Sequence, residues 1–171
     1  LMDDIYVYAG LYKQLYENNF CKNMLRDLEN LSNKFKDYDI YTSGHSGGGA
    51  LACMFGYIYS TMTPNNITTI TFASPRVGDH KWFEQFNSKT NLRHYRIINN
   101  RDLVTAIPYI NYYHVGNTLL LRDNDIHIKK YNDKTDTFLN WCCCSYSIND
   151  HSLENYYYKM ALFDSESLIN F

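Results

Sequence analysis

Tyr38-Asp39-Ile40-Tyr41-Thr42-Ser43-Gly44-His45-Ser46-Gly47-Gly48-Gly49-Ala50-Leu51-Ala52-Cys53-Met54-Phe55 decides the reading of this chain. It opens as a short β-prone run near Asp39 to Thr42 and closes as an apolar helix, with a serine set among glycines at the junction. A strand that turns directly into a helix around a serine forms an elbow too tight for a Cβ beside it. Such a turn holds the hydroxyl clear of the backbone, at the positive end of the helix that follows. The competing reading is a glycine-rich turn that happens to contain serine; the strand before it and the helix after it favour Ser46 as a nucleophile.

A serine hydroxyl is a weak nucleophile until a base takes its proton, and elbows of this type are completed by an acid and then a histidine, in that order along the chain. His45, His80 and His94 precede any sensible acid. His114 and His127 fall in expected strands. His151, in Ile148-Asn149-Asp150-His151-Ser152-Leu153, occupies a polar loop leading into a helical run, a common place for catalytic groups. By position it reads equally well as a helix N-terminal histidine beside the capping candidates Asp150 and Ser152. For the acid, Asp102 follows the alternating run Arg93 to Ile98, where a carboxylate at the end of a parallel strand is well placed for chemistry. An aspartate that only stabilises its own turn is the other reading. Asp123 and Asp125 look like hairpin-turn residues, and Asp79 like the N-cap of a short helix, His80 to Asn87, whose Trp82, Phe83 and Phe86 share a face.

Four blocks occur in order: Thr42 to Ala50, Phe72-Ala73-Ser74-Pro75-Arg76-Val77-Gly78-Asp79, Ile98 to Pro108 with its Asn-x-x-Asp-x-Val, and Asp150-His151-Ser152. On these the chain resembles the class 3 lipases, the fungal triacylglycerol lipase group of α/β-hydrolases. The resemblance implies a serine carboxylic-ester hydrolase acting on acylglycerols or related lipids. Ser46 is then the nucleophile, Asp102 the orienting acid and His151 the base, with the Gly47 amide as an oxyanion-hole donor. No metal or cofactor is needed for that chemistry. The implied partner is a lipid ester substrate, with transient contact at a membrane or lipid-droplet surface. Tyr113-His114-Val115-Gly116 resembles a structural His-x-Gly strand of those lipases.

Two departures stand out. Gly47 replaces the larger residue, often leucine, that follows the serine in the family, which implies a looser start to the helix. Leu1 to Tyr8 resembles the segment just after the lipase lid, so the family's first strands, its lid and a Gly-x-Ser/Thr loop carrying another oxyanion donor are expected upstream. One missing donor costs about 3 kcal/mol of transition-state stabilisation. The alternative function is therefore a lipase-like lipid-binding or scaffold protein without an assembled oxyanion hole; retention of all three residue types favours the enzyme.

The rest of the sequence organises as one α/β domain over residues 1–171, expected to be an N-terminally incomplete α/β-hydrolase fold with a mostly parallel sheet and a C-terminal hairpin. A long amphipathic helix is expected from Leu11 to Lys36, with Leu11, Leu15, Leu25, Leu28, Leu31 and Phe35 on its apolar side. Strands follow near Ile67 to Phe72, Arg93 to Ile98, Tyr112 to Leu121 and Ile126 to Tyr131, and helices at Gly48 to Thr61 and Ser152 to Phe163. A formal net charge of −2 argues against nucleic acid or an anionic membrane as a charge-driven partner. The apolar run from Ala50 to Tyr59 is far shorter than the roughly 20 residues of a membrane span. Most of the aromatic residues, 17 tyrosines among them, are expected in the core or at its rim. Cys21 and Cys53 read as buried thiols. Cys142-Cys143-Cys144 lacks metal-ligand spacing and reads as a loop, with a disulfide to an upstream cysteine or S-acylation as the alternatives.

Overall fold

The computed structural model describes residues 4–122, 126–129 and 146–162. Five strands, β1 (Ile40–His45), β2 (Ile67–Phe72), β3 (Leu92–Asn99), β4 (Asn117–Leu121) and β5 (Ile126–Lys129), form one sheet in that order. The first four run parallel and β5 returns antiparallel to β4. Parallel neighbours need crossovers, and helix α3 (Gly47–Ser60) and helix α4 (His80–Asn87) supply the first two. Helices α1 (Ala9–Tyr16) and α2 (Phe20–Lys34) precede the sheet, and α5 (Leu153–Ala161) follows it.

Side-chain alternation along β2 explains the layering. Ile67, Thr69 and Thr71 are buried, whereas Thr68, Ile70 and Phe72 are half-buried. The main core gathers Ile40, Ile67 and Leu92 with Cys53, Met54, Phe55 and Tyr57 of α3 and Trp82 and Phe86 of α4. A smaller cluster holds Ile97, Leu121 and Tyr156, with Ile70, Phe72 and Met160 packed against it. α5 thus covers the smaller cluster and α3 the larger one. Helix α3 is buried almost all round, which is why its sequence is apolar without a clear stripe. Asp79 caps α4 as expected, its carboxylate accepting from the Trp82 amide at 2.9 Å.

Three expectations are corrected. The long N-terminal helix breaks between Glu17 and Asn19, where Asn18 and Asn19 take φ of 53° and 58°. Asparagine tolerates that left-handed conformation; beyond the break Leu25 and Leu28 pack against the core, whereas Leu31 and Phe35 are exposed. The strand expected from Tyr112 begins only at Asn117, because Gly116 has φ +72° and bends the chain against His94, where a Cβ would stand 2.6 Å from the His94 carbonyl oxygen. Among the described residues only Tyr57, Tyr59 and Tyr156 of the tyrosines are buried. Cys21 and Cys53 are buried free thiols, as expected. Cys142, Cys143 and Cys144, the Asp123 and Asp125 turn, and the ends of the last expected strand and helix lie outside the described residues. No helix among the described residues is long and apolar enough to cross a membrane.

Candidate active site

Ser46 stands at the C-terminal end of β1, where open parallel sheets place their functional crevices. Its backbone has φ 56° and ψ −128°, a conformation that side-chain-bearing residues rarely adopt and that costs on the order of 1–3 kcal/mol. The neighbours hold it there. The Ser46 amide donates to the Phe72 carbonyl at the end of β2, and the Ser46 carbonyl accepts from the Gly49 and Ala50 amides to open α3. The turn closes so tightly that a Cβ on Gly44 would lie 2.3 Å from the Gly48 carbonyl oxygen. Around Gly47 the space is open, and α3 starts there as a regular helix.

Asp102 is fully buried, three residues beyond the end of β3. Its Oδ1 accepts from the Val104 amide at 2.9 Å, so it does serve its own turn. The same carboxylate faces His151 Nδ1, at 3.1 Å from Oδ1 and 3.0 Å from Oδ2. The carboxylate therefore serves its own turn and also stands beside His151, the arrangement that the catalytic reading requires.

The His151 segment is fastened to the sheet at several points. The Ser147 amide donates to the Arg101 carbonyl at 2.9 Å. Asn99 Nδ2 donates to the Asp150 carbonyl at 3.0 Å, and His45 Nε2–H to that of His151 at 2.9 Å. Ser152 caps α5, accepting from the Asn155 amide at 3.2 Å. So held, His151 turns Nε2 to Ser46 Oγ at 2.8 Å. Because a carboxylate only accepts, Nδ1 carries the proton toward Asp102, and Nε2 is left to accept the serine hydroxyl proton. The three residues expected from the sequence thus meet in one chain of hydrogen bonds at the C-terminal edge of the sheet.

Three participants were not expected. His45 packs its ring 4.9 Å from that of His151. Asn99 and Tyr156 also adjoin the array, and Tyr156 lies in a run, Tyr156-Tyr157-Tyr158, whose members are alike in sequence. The i, i+4 pairing of Tyr156 with Met160 was the available signal, since both pack in the smaller core.

His94 and His114 are held by contacts within the fold. His94 is buried, its pKa lowered to about 3 by desolvation and by the Arg96 charge. Its Nε2 lies 2.9 Å from Thr71 Oγ1. His114 donates from Nε2 to the Thr105 carbonyl, and burial with the charges of Arg96 and Arg76 holds its pKa well below the usual histidine range.

The family description Lipase (class 3) matches residues 1–112. This chain belongs to the class 3 lipase family. The match includes Ser46 and Asp102 and stops short of His151, which the fold brings back to them. The fold is that of the α/β-hydrolases. A crystal structure of lipase from Rhizopus microsporus var. chinensis superposes with a TM-score of 0.76 over 86% of this chain and 53% of that one, at 26% identity. Among the curated relatives, the toxin TseL of Vibrio cholerae is 35% identical over 106 residues, which are 61% of this chain and 15% of TseL. Phospholipase A1-II 2 of Oryza sativa subsp. indica is 28% identical over 134 residues, 67% of this chain and 33% of that protein. The class 3 lipase chain described here spans no more than a third of those two relatives and about half of the solved lipase.

Proposed function

We propose that this chain carries the catalytic centre of a serine hydrolase that cleaves carboxylic esters of acylglycerols or related lipids. The observation that carries the reading is the unbroken array Ser46 Oγ, His151 Nε2, His151 Nδ1, Asp102, with both contacts near 3 Å. Ser46 attacks the acyl carbonyl as His151 takes the hydroxyl proton, and the imidazolium then forms against the buried Asp102 carboxylate. His151 returns the proton to the departing alkoxide, leaving an acyl group on Ser46. Water, deprotonated by the same nitrogen, releases the acid and restores the serine. The Gly47 amide, at the open N-terminus of α3, supplies one donor to the oxyanion. The same reading takes residues 1–171 as belonging to a single hydrolase domain, with a lipid ester as its substrate.

The family membership and the relatives named lipase and phospholipase A1 support a lipid rather than a small water-soluble ester. Hydrolysis of p-nitrophenyl butyrate, a triacylglycerol and a phosphatidylcholine by wild type and Ser46→Ala tests the proposal. Release of fatty acid that disappears in the alanine variant is expected. Equal release by the variant places the nucleophile elsewhere, and a folded wild type without hydrolysis or lipid-ester turnover points to a lipid-binding or scaffold role.

A further inference from the structure

Asp102 has no exposed surface, and a buried carboxylate keeps its charge and its orientation only through the donors around it. Two of those donors were accounted for above, the Val104 amide and His151 Nδ1. The third is Tyr156, whose Oη–H donates to Oδ2 at 2.7 Å, the shortest contact the carboxylate makes. Tyr156 Oη in turn accepts the Asn99 amide proton at 2.8 Å, which fixes where its own hydrogen points. The ring is buried, while Tyr157 and Tyr158 beside it are 70% and 65% exposed. Tyr156 also sits on α5, the helix that begins just after His151.

We propose that Tyr156 is a positioning residue for the hydrolase: it locks the Asp102 carboxylate in the orientation that serves His151 and ties it to the helix that follows that histidine. The proposal rests on the reading of Ser46, His151 and Asp102 as nucleophile, base and acid. Burial and the neighbouring Asp102 charge push the Tyr156 phenol above its ordinary range, so it stays an O–H donor. Oδ2 is shared between Tyr156 and His151. Charge drawn toward the phenol is charge withheld from the imidazolium, so the strength of this bond tunes how firmly His151 holds its proton.

The sign of the effect follows. Removing Oη leaves more carboxylate charge facing His151, so the imidazolium persists to higher pH. A stronger phenol donor does the reverse. The other titratable groups nearby are His45, whose ring is tilted against that of His151, the Arg101–Asp150 ion pair at 3.5 Å, and Arg96, whose charge reaches Tyr156. None of these changes in the variants below.

The test compares kcat, KM and the pH dependence of kcat/KM for wild type, Tyr156→Phe and protein carrying 3-fluorotyrosine, a stronger hydrogen-bond donor, at position 156 alone. Tyr157→Phe is the control. Rates are normalised to the amount of protein that a fluorophosphonate labels. Tyr156→Phe is expected to lower kcat about tenfold, the worth of one charge-assisted hydrogen bond, with KM little changed. Its acid limb moves to higher pH, and that of the fluorotyrosine protein to lower pH. In an Asp102→Asn background the Tyr156→Phe loss should largely vanish, because the partner it acts on is gone. Should Tyr156→Phe fail to fold, the fluorotyrosine protein, which keeps the shape and the bond, carries the test. An active wild type with unmoved acid limbs, or a loss that is fully additive with Asp102→Asn, overturns the positioning role while leaving the hydrolase intact. A folded wild type that is neither labelled nor active overturns the hydrolase reading itself.

Discussion

The carbonyl oxygen of Gly48 lies 2.3 Å from where a Cβ on Gly44 would be, and the Gly49 amide nitrogen lies 2.7 Å from it. Both obstacles are backbone, which cannot swing aside as a side chain could. Gly44→Ala should therefore open the elbow and abolish hydrolysis, with a large drop in the urea midpoint. Gly47 and Gly48 meet nothing within 4 Å and are helical. Alanine at either should raise stability by up to about 1 kcal/mol, the glycine-to-alanine difference in helix propensity. A harmless Gly44→Ala would contradict the geometry given for the elbow.

Asp102→Asn removes the charge that holds His151 and one acceptor oxygen from a site with three donors. The expected loss in kcat is on the order of 10⁴, as wrong-tautomer histidine gives in a serine-protease triad. The unfolding midpoint should fall as well, since a buried donor is left without its partner. Activity kept within a few-fold while the midpoint drops would reduce Asp102 to a turn residue.

Stability should depend on pH through His94 and His114. Each is held below its unfolded pKa of about 6.5, His94 to about 3. The unfolded chain therefore binds more protons than the native one between those values, and stability falls as pH drops from about 6.5 toward 3. It is fully present above that window. Each group contributes a slope of up to about 1.4 kcal/mol per pH unit. Urea unfolding of wild type and His94→Gln at pH 7, 6 and 5 checks this: the variant should lose one proton's share of the slope. Parallel curves for the two proteins would mean that His94 does not resist protonation in the fold.

The outer edge of β1 has no strand beside it among the described residues, and Tyr38 and Tyr41 are 75% and 62% exposed there. An open edge with exposed aromatics pairs with other chains. Residues 1–171 by themselves should associate at micromolar concentration, and Tyr41→Lys should lower the associated fraction in analytical ultracentrifugation. A wild type that stays monomeric at high concentration would show the edge to be protected.

Local rules made much of this legible. The Ser46 elbow, the Asp79 cap and the α3 crossover each depend on residues adjacent in sequence, and each was readable from residue type and spacing. What stayed hidden depends on backbone conformation or on contacts between distant segments. The amphipathic pattern of Leu11, Leu15, Leu25 and Leu28 continues through Asn18 and Asn19, so periodicity runs across a break made by two left-handed residues. The approach of Asp102 to His151 joins residues 49 positions apart, so the turn context by itself shows only the bond to Val104. Tyr156 and His45 make hydrogen bonds to residues 54 and 106 positions distant; the i, i+4 spacing of Tyr156 and Met160 marks a packed face but not the bond to Asp102.

The central claim is that Ser46 is a nucleophile activated by His151, and covalent capture tests it most directly. Wild-type protein is treated with a fluorophosphonate, digested, and the adduct located by mass spectrometry. The account predicts a single adduct on Ser46 that is absent from Ser46→Ala and slowed by orders of magnitude in His151→Ala. An adduct on another residue, or labelling of Ser46 at the same rate without His151, would contradict it.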